Sequence, residues 1–128
     1  MLDHIGFAVS HLKKSTAFYS AALQPLGIRL LVELTAQQTG SGAHAGFGTA
    51  PKAFFWIGDH GSPCTGVHVA FTAQTRAQVV QFYEAALKAG GRDNGKPGVR
   101  PHYHDGYYGA FVFDPDGNNI EAVCHRPE

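Results

Sequence analysis

The sequence is short of the features that mark a nucleic-acid, membrane or secreted protein. It has no surplus of either charge, since ten Lys and Arg balance ten Asp and Glu. No basic stretch offers a phosphate-binding surface, which argues against nucleic acid or a membrane surface as partner. Cysteine is scarce: Cys64 and Cys124 form no CxxC pair. A disulfide framework is therefore not the basis of the fold, and two free thiols of a cytoplasmic protein are expected. No apolar run reaches the length of a membrane span. Met1 leads directly into a strand pattern, with no basic segment or cleavage site before it, so neither signal peptide nor anchor is expected. Linkers and low-complexity tracts are also missing. A chain of 128 residues without them reads as a single domain, 1–128, able to bury about two thirds of its unfolded surface.

What the chain does have is a repeat and eight histidines. Displaced on itself by 64 residues, without a gap, it superposes His4 on His68, Phe7 on Phe71, Phe18 on Phe82 and Tyr19 on Tyr83. Ala21, Ala22 and Leu23 fall on Ala85, Ala86 and Leu87, and Gly27 on Gly91. These identities imply a duplicated module, 1–62 and 63–128, with Gly61-Ser62-Pro63 at the boundary.

Each module opens with an alternating strand, 2–9 and 66–73. In the first, Ile5, Phe7 and Val9 oppose His4, Gly6 and Ala8; in the second, Val67, Val69 and Phe71 oppose His68, Ala70 and Thr72. A helix follows each, with Ser10 and Thr75 as expected N-caps. Phe18, Ala21, Ala22 and Pro25 mark the buried stripe and end of the first helix; Val79, Tyr83, Ala86 and Leu87 mark the second. Three more strands are expected per module, near 28–35, 43–49 and 52–58, then near 92–98, 107–113 and 118–124. The fold class is α+β, two tandem βαβββ modules with mixed sheets around a shared cavity.

The last strand carries the chemistry. Asp114-Pro115-Asp116-Gly117 is a tight-turn sequence. After it, Asn119, Glu121 and Val123 point one way and Ile120, Ala122 and Cys124 the other. A carboxylate at Glu121, on a strand expected to be central, is costly to bury unless paired or bound to a metal. If the modules pack symmetrically, the opening strands bring His4 and His68 together. Two imidazoles and Glu121 then converge on one divalent cation, with positions left for substrate. Taken singly, each histidine reads as a half-buried core residue, and the repeat is what joins them; the alternative for Glu121 is an exposed edge-strand carboxylate. Ile57, 64 residues before Glu121, supplies no matching carboxylate, so one site with three protein ligands is expected.

His102, Tyr103, His104, Tyr107 and Tyr108 cluster before a strand. His104 or Tyr108 is expected to act as an acid/base or to support the ligands from behind; the other reading is an aromatic surface loop. Trp56, Arg100 and His102 are the expected pocket residues, although Trp56 also suits the core and Arg100 also suits solvent. The glycine-rich stretch 39–48 and Gly95-Lys96-Pro97-Gly98 lack the Gly-Lys-Ser/Thr of a phosphate loop. His11, His44, His60 and His125 show no ligand spacing and are expected on the surface and in loops.

Four stretches carry a family resemblance: Asp3-His4-Ile5-Gly6-Phe7-Ala8-Val9, Ala17-Phe18-Tyr19, Val67-His68-Val69-Ala70-Phe71, and 114–121. The sequence resembles the vicinal oxygen chelate superfamily, which groups glyoxalase I, fosfomycin- and bleomycin-resistance proteins and extradiol dioxygenases. The resemblance implies one divalent metal ion (iron, manganese, zinc, nickel or cobalt) held by His4, His68 and Glu121. It also implies a small-molecule substrate and lyase, isomerase, thiol-addition or dioxygenase chemistry, with glutathione or another thiol as one kind of co-substrate. Glyoxalase I has a further carboxylate where this chain has Phe54-Phe55-Trp56-Ile57. A homodimer is implied, in which His4 of one chain meets His68 and Glu121 of another. The rival expectation is a metal-free protein that sequesters a planar small molecule between aromatic platforms.

Overall fold

The computed structural model describes residues 1–127. It consists of two tandem βαβββ modules, each a four-stranded mixed sheet backed by a helix. The first contains β1 (Ile5–Ala8), α1 (Leu12–Leu23) with a 3₁₀ turn Gln24–Leu26, β2 (Arg29–Leu34), a short α2 (Ala36–Thr39), β3 (His44–Thr49) and β4 (Lys52–Gly58). The second contains β5 (His68–Thr72), α3 (Arg76–Lys88), β6 (Arg92–Val99), β7 (Tyr108–Phe113) and β8 (Asn119–Cys124). The strand orders are equivalent, β1-β4-β3-β2 and β5-β8-β7-β6. In each sheet the opening strand runs parallel to the last, and the other pairings are antiparallel.

Alternation sorts the strand residues as expected. Ile5 and Phe7 join Phe47, Phe55 and Ile57 in the core, with Phe18, Tyr19 and Leu23 from α1 and Val79, Phe82 and Ala86 from α3. Thr75 caps α3 through a reciprocal capping box with Gln78. The first helix departs from the sequence reading: its N-cap is His11, without a side-chain cap. Ser10 instead gives its backbone N–H to Asp116 Oδ2 at 3.1 Å, a partner too distant in sequence to foresee. Ala21 is exposed, and the buried stripe runs through Ser15, Phe18, Tyr19, Ala22 and Leu23.

The two modules meet through α1, α3 and the turn between β7 and β8. Phe55 and Phe71 also touch edge-to-face across the boundary, 5.2 Å between centroids. In that turn the Asp114 carboxylate is 1% exposed. Its Oδ1 accepts from the backbone of Asp116 at 2.9 Å and of Asn118 at 2.8 Å. Its Oδ2 accepts from Tyr19 Oη at 2.5 Å and Asn118 Nδ2 at 3.0 Å. Asn118 reaches on to the segment joining the modules, donating to Cys64 O at 3.0 Å and accepting from Val67 N at 3.0 Å. Among the described residues, no helix is long and apolar enough to cross a membrane.

The register corrects one equivalence. Gly6 pairs with Trp56 in the first sheet, and its repeat mate Ala70 pairs with Glu121 in the second. The structural counterpart of Glu121 is therefore Trp56 and not Ile57. The second module has one more residue between its opening and last strands, which a gapless comparison cannot register.

Truncating Asp114 strands buried donors on both modules. Asp114→Ala is expected to lower the free energy of unfolding by about 3 kcal/mol or more, and Tyr19→Phe by about 1.5–3 kcal/mol, in urea denaturation. Burial, and then the Asp114 charge, push the Tyr19 hydroxyl well above the ordinary tyrosine value of 10.0. The folded chain thus keeps a proton that the unfolded chain releases. This contribution is complete below pH 10 and declines as pH rises above it. Unfolding midpoints measured from pH 9 upward should fall, and fall less steeply in Tyr19→Phe.

Candidate functional site

Each sheet has one face against its helix and one open face. The open face of the second sheet holds His68 at the start of β5 and Glu121 in the middle of β8. The His68 imidazole Nε2 lies 3.1 Å from Glu121 Oε1. Their exposures are unequal: the Glu121 side chain is 2% exposed and that of His68 47%. The second carboxylate oxygen of Glu121 accepts from the Tyr107 hydroxyl. Burial, and then this bond to Glu121, raise the Tyr107 hydroxyl above its usual range. Gly109 leaves room for the pair, since a Cβ there would come within 3.2 Å of Glu121 Oε2. On its other side, His68 Nδ1 is 2.6 Å from the Asn119 amide, which in turn meets Asn94 at 3.1 Å.

His4 is placed elsewhere. It directly precedes β1, with a side chain 60% exposed, and its Nδ1 lies 2.7 Å from Asp3 Oδ1. Lys52 Nζ holds the same oxygen at 2.7 Å, and these two partners, Lys52 first, keep the Asp3 carboxyl below its usual range. His4 borders a cavity of about 460 Å³ over the open face of the first sheet, together with Trp56, His44 and His60. A second cavity of about 410 Å³ separates β1 from β5, lined by His4, Ile5, Val69 and Phe71 among others. The opening strands therefore do not bring the two histidines together within one chain. Among the described residues no group of three His, Cys, Asp or Glu side chains is arranged to hold a metal ion. The reason is topological: the chain packs its modules through their helices, and each sheet keeps its own open face.

The remaining expected residues are scattered over the second sheet, the loop before β7 and the first sheet. Tyr107 stands beside Glu121, and alternation sends Tyr108 to the other face, under Arg76 of α3 with 4.9 Å from guanidinium to ring centre. His104 stacks on His125 at 4.8 Å and meets Asp105 O through Nδ1 at 2.9 Å. Tyr107 packs edge-on to both rings. His102 is exposed, with its ring 4.4 Å from that of Tyr103. Arg100 lies over the Phe111 ring, donates to Lys96 O at 2.6 Å, and lines a small cavity with Asn94, Tyr103 and Asn119. Trp56 lies on the open face of the first sheet and not in the core. His44, within the expected strand 43–49, is the first residue of β3, and His60 follows β4; neither was expected at a site, yet both line the same cavity as Trp56. Their convergence depends on strand pairing, which residue spacing does not reveal. For Tyr107 the signal was present, because it belongs to the aromatic cluster, one position from the tyrosine that was favoured.

The site can be probed before any ligand is known. Tyr107→Phe removes a hydrogen bond to a buried carboxylate and should cost about 1.5–3 kcal/mol of stability. Tyr108→Phe keeps its ring beneath Arg76 and leaves Glu121 untouched, so it should stay within about 0.5 kcal/mol of the parent. Parallel urea titrations decide the contrast.

The family model for the Glyoxalase/Bleomycin resistance protein/Dioxygenase superfamily matches residues 1–122. A solved glyoxalase/bleomycin resistance protein from Albidiferax ferrireducens T118 is 31% identical; 99% of each chain is covered, and the TM-score is 0.80. Glyoxalase I from Zea mays is 20% identical at TM-score 0.74; the match covers 99% of this chain and 45% of that one. A glyoxalase/bleomycin resistance protein/dioxygenase family enzyme from Burkholderia phytofirmans PsJN is 16% identical, with a TM-score of 0.70 and 97% and 98% of the two chains covered. These last two likenesses speak for the fold alone. No curated protein matches the sequence. A family model spanning almost the whole chain, joined by a full-length structural match at 31% identity, makes the chain a member of the glyoxalase/bleomycin resistance protein/dioxygenase superfamily.

Proposed function

We propose that the protein is a divalent-metal-dependent enzyme of the glyoxalase type, acting on a small substrate through two neighbouring oxygens. His68 and Glu121 of one chain, with His4 of a second copy, would hold the metal. The observation that carries this reading is the pairing of the His68 Nε2 with an almost wholly buried Glu121 carboxylate at 3.1 Å. The donor set fits such an ion. At His4 the Nδ1 is engaged by Asp3, which leaves Nε2 for ligation. At His68 the Nδ1 is held by Asn119, and ligation through Nε2 would replace its contact with Glu121 Oε1. Two imidazoles and a carboxylate suit iron(II), manganese, zinc, nickel or cobalt.

When bound, such an ion supplies Lewis acidity, chelating the two substrate oxygens and stabilising the negative charge that develops on them. The chain's own residues supply the rest. Tyr107 fixes the orientation of Glu121 from its far oxygen. Asn119 fixes the rotation of the His68 ring. His104, beside Tyr107, is assigned proton transfer at the cavity mouth, and Arg100 the attraction of substrate charge. Lyase or isomerase chemistry, addition of glutathione or another thiol, and oxygen insertion all suit such a site.

A homodimer belongs to this reading. Leu2, next but one to His4, is 74% exposed, and Val99 and Tyr103, near the second sheet's open face, are 55% and 54% exposed. A second copy laid across both faces would cover these apolar side chains while joining the half-sites. The rival reading, a metal-free protein that sequesters a planar molecule, is favoured by the position of Trp56 on an open face.

Complementation separates these readings. His4→Ala and Glu121→Gln homodimers should each lose the metal. In a heterodimer of the two variants, one site is intact and the other carries both changes. A statistical mixture refolded together should therefore regain about a quarter of the wild-type metal content, read by elemental analysis. A mixture no better than its parents would place the three ligands in one chain. A wild-type protein that retains none of the five metals after loading would leave the sequestering reading.

A further inference from the structure

The open face of the first sheet is built differently from that of the second. At the register position where the second sheet has Glu121, the first has Trp56, the only tryptophan in the chain. The indole lies against the backbone of Gly46, its cross-strand neighbour. A Cβ on Gly46 would come within 2.7 Å of the six-membered ring, and one on Gly6 within 3.1 Å of the Trp56 Cβ. Two strands away from β1, His44 repeats the arrangement. It pairs with Gly58, where a Cβ would meet the imidazole at 2.6 Å. Glycine opposite each ring lets both lie down on the sheet.

These rings floor the 460 Å³ cavity, and His60 stands over it with its ring 6.2 Å from that of His44. An acceptor oxygen between them can take hydrogen bonds of about 2.8 Å from both. The His44 Nδ1 is buried and has no hydrogen-bond partner among the described residues. A buried N–H left unpaired costs more than a lone pair, so the proton belongs on Nε2, where it is a donor beside the cavity. Among the described residues, no Asp or Glu lines the cavity. Of the acids next to lining residues in sequence, Asp59 accepts from Ala43 N at 2.9 Å through Oδ1, and Asp3 is held by Lys52.

We propose that Trp56, His44 and His60 form a binding subsite for a planar carboxylate, with the ring of the ligand stacked on the indole and its carboxylate held between the two imidazoles. Stacking on an exposed indole face rewards a flat ligand. The imidazole donors and the lack of acidic lining reward a negative one. The subsite is built from the first module alone. Where the proposed metal site also stands, the subsite supplies the far end of the same cavity.

Fluorescence of the single tryptophan tests this on metal-free protein, so its outcome is independent of the metal reading. Benzoate should quench Trp56 saturably. Benzamide, flat but uncharged, and cyclohexanecarboxylate, charged but not flat, should each bind about tenfold more weakly. His44→Gln and His60→Gln should each cost benzoate about tenfold and leave benzamide unchanged, with thermal melts confirming the fold. Gly46→Val, which lifts the indole, should abolish the difference between benzoate and cyclohexanecarboxylate. Equal binding of benzoate and benzamide, histidine variants that bind benzoate as the parent does, or no quenching would overturn the proposal.

Discussion

A buried carboxylate is tolerated only while its donors stay in place, and the fold hangs on that condition at Asp114. Its partners come from α1, from the β7–β8 turn and, through Asn118, from the segment that joins the modules. The same contacts fix where β8 begins. Side chains alternate along a strand, so a slip of one residue would exchange Glu121 for Ile120 on the open face and put a carboxylate in the core. The functional surface and the stability of the chain are therefore set by one turn, and neither module can be repacked without the other.

The sites differ in how they treat their polar groups. Glu121 is enclosed and committed, with both oxygens engaged from either side. His68 and His4 are half open; His68 is held at both nitrogens, by Asn119 and Glu121, and His4 at Nδ1 by Asp3. Such an arrangement keeps the buried carboxylate satisfied while the two imidazoles stay accessible.

Much of this was legible in the sequence, because local rules govern it. Period-two alternation set His68 and Glu121 each on a face opposite the large apolar residues, and Thr75, read as an N-cap, marked the start of α3. The repeat announced two modules of like topology. What escaped depended on pairing between distant strands. Comparison without a gap aligned Glu121 with Ile57, whereas the register aligns it with Trp56, since the second module is longer by one residue before its last strand. His44 and His60 looked unremarkable because antiparallel pairing of β3 and β4, not spacing, brings them together. The glycines of 39–48 read as a failed phosphate loop; two of them, Gly46 and Gly48, sit in β3 facing side chains and backbone that leave no room for a Cβ. Tyr107 was passed over for Tyr108 because adjacent tyrosines differ only in the face they occupy.

The one-residue difference within the second module has a consequence for symmetry. Strictly duplicated modules would present two open faces of like chemistry. Here the register puts an indole at Trp56 where the other sheet has the carboxylate of Glu121. The repeat is therefore twofold in its backbone and polar in its chemistry, with one aromatic face and one acidic face.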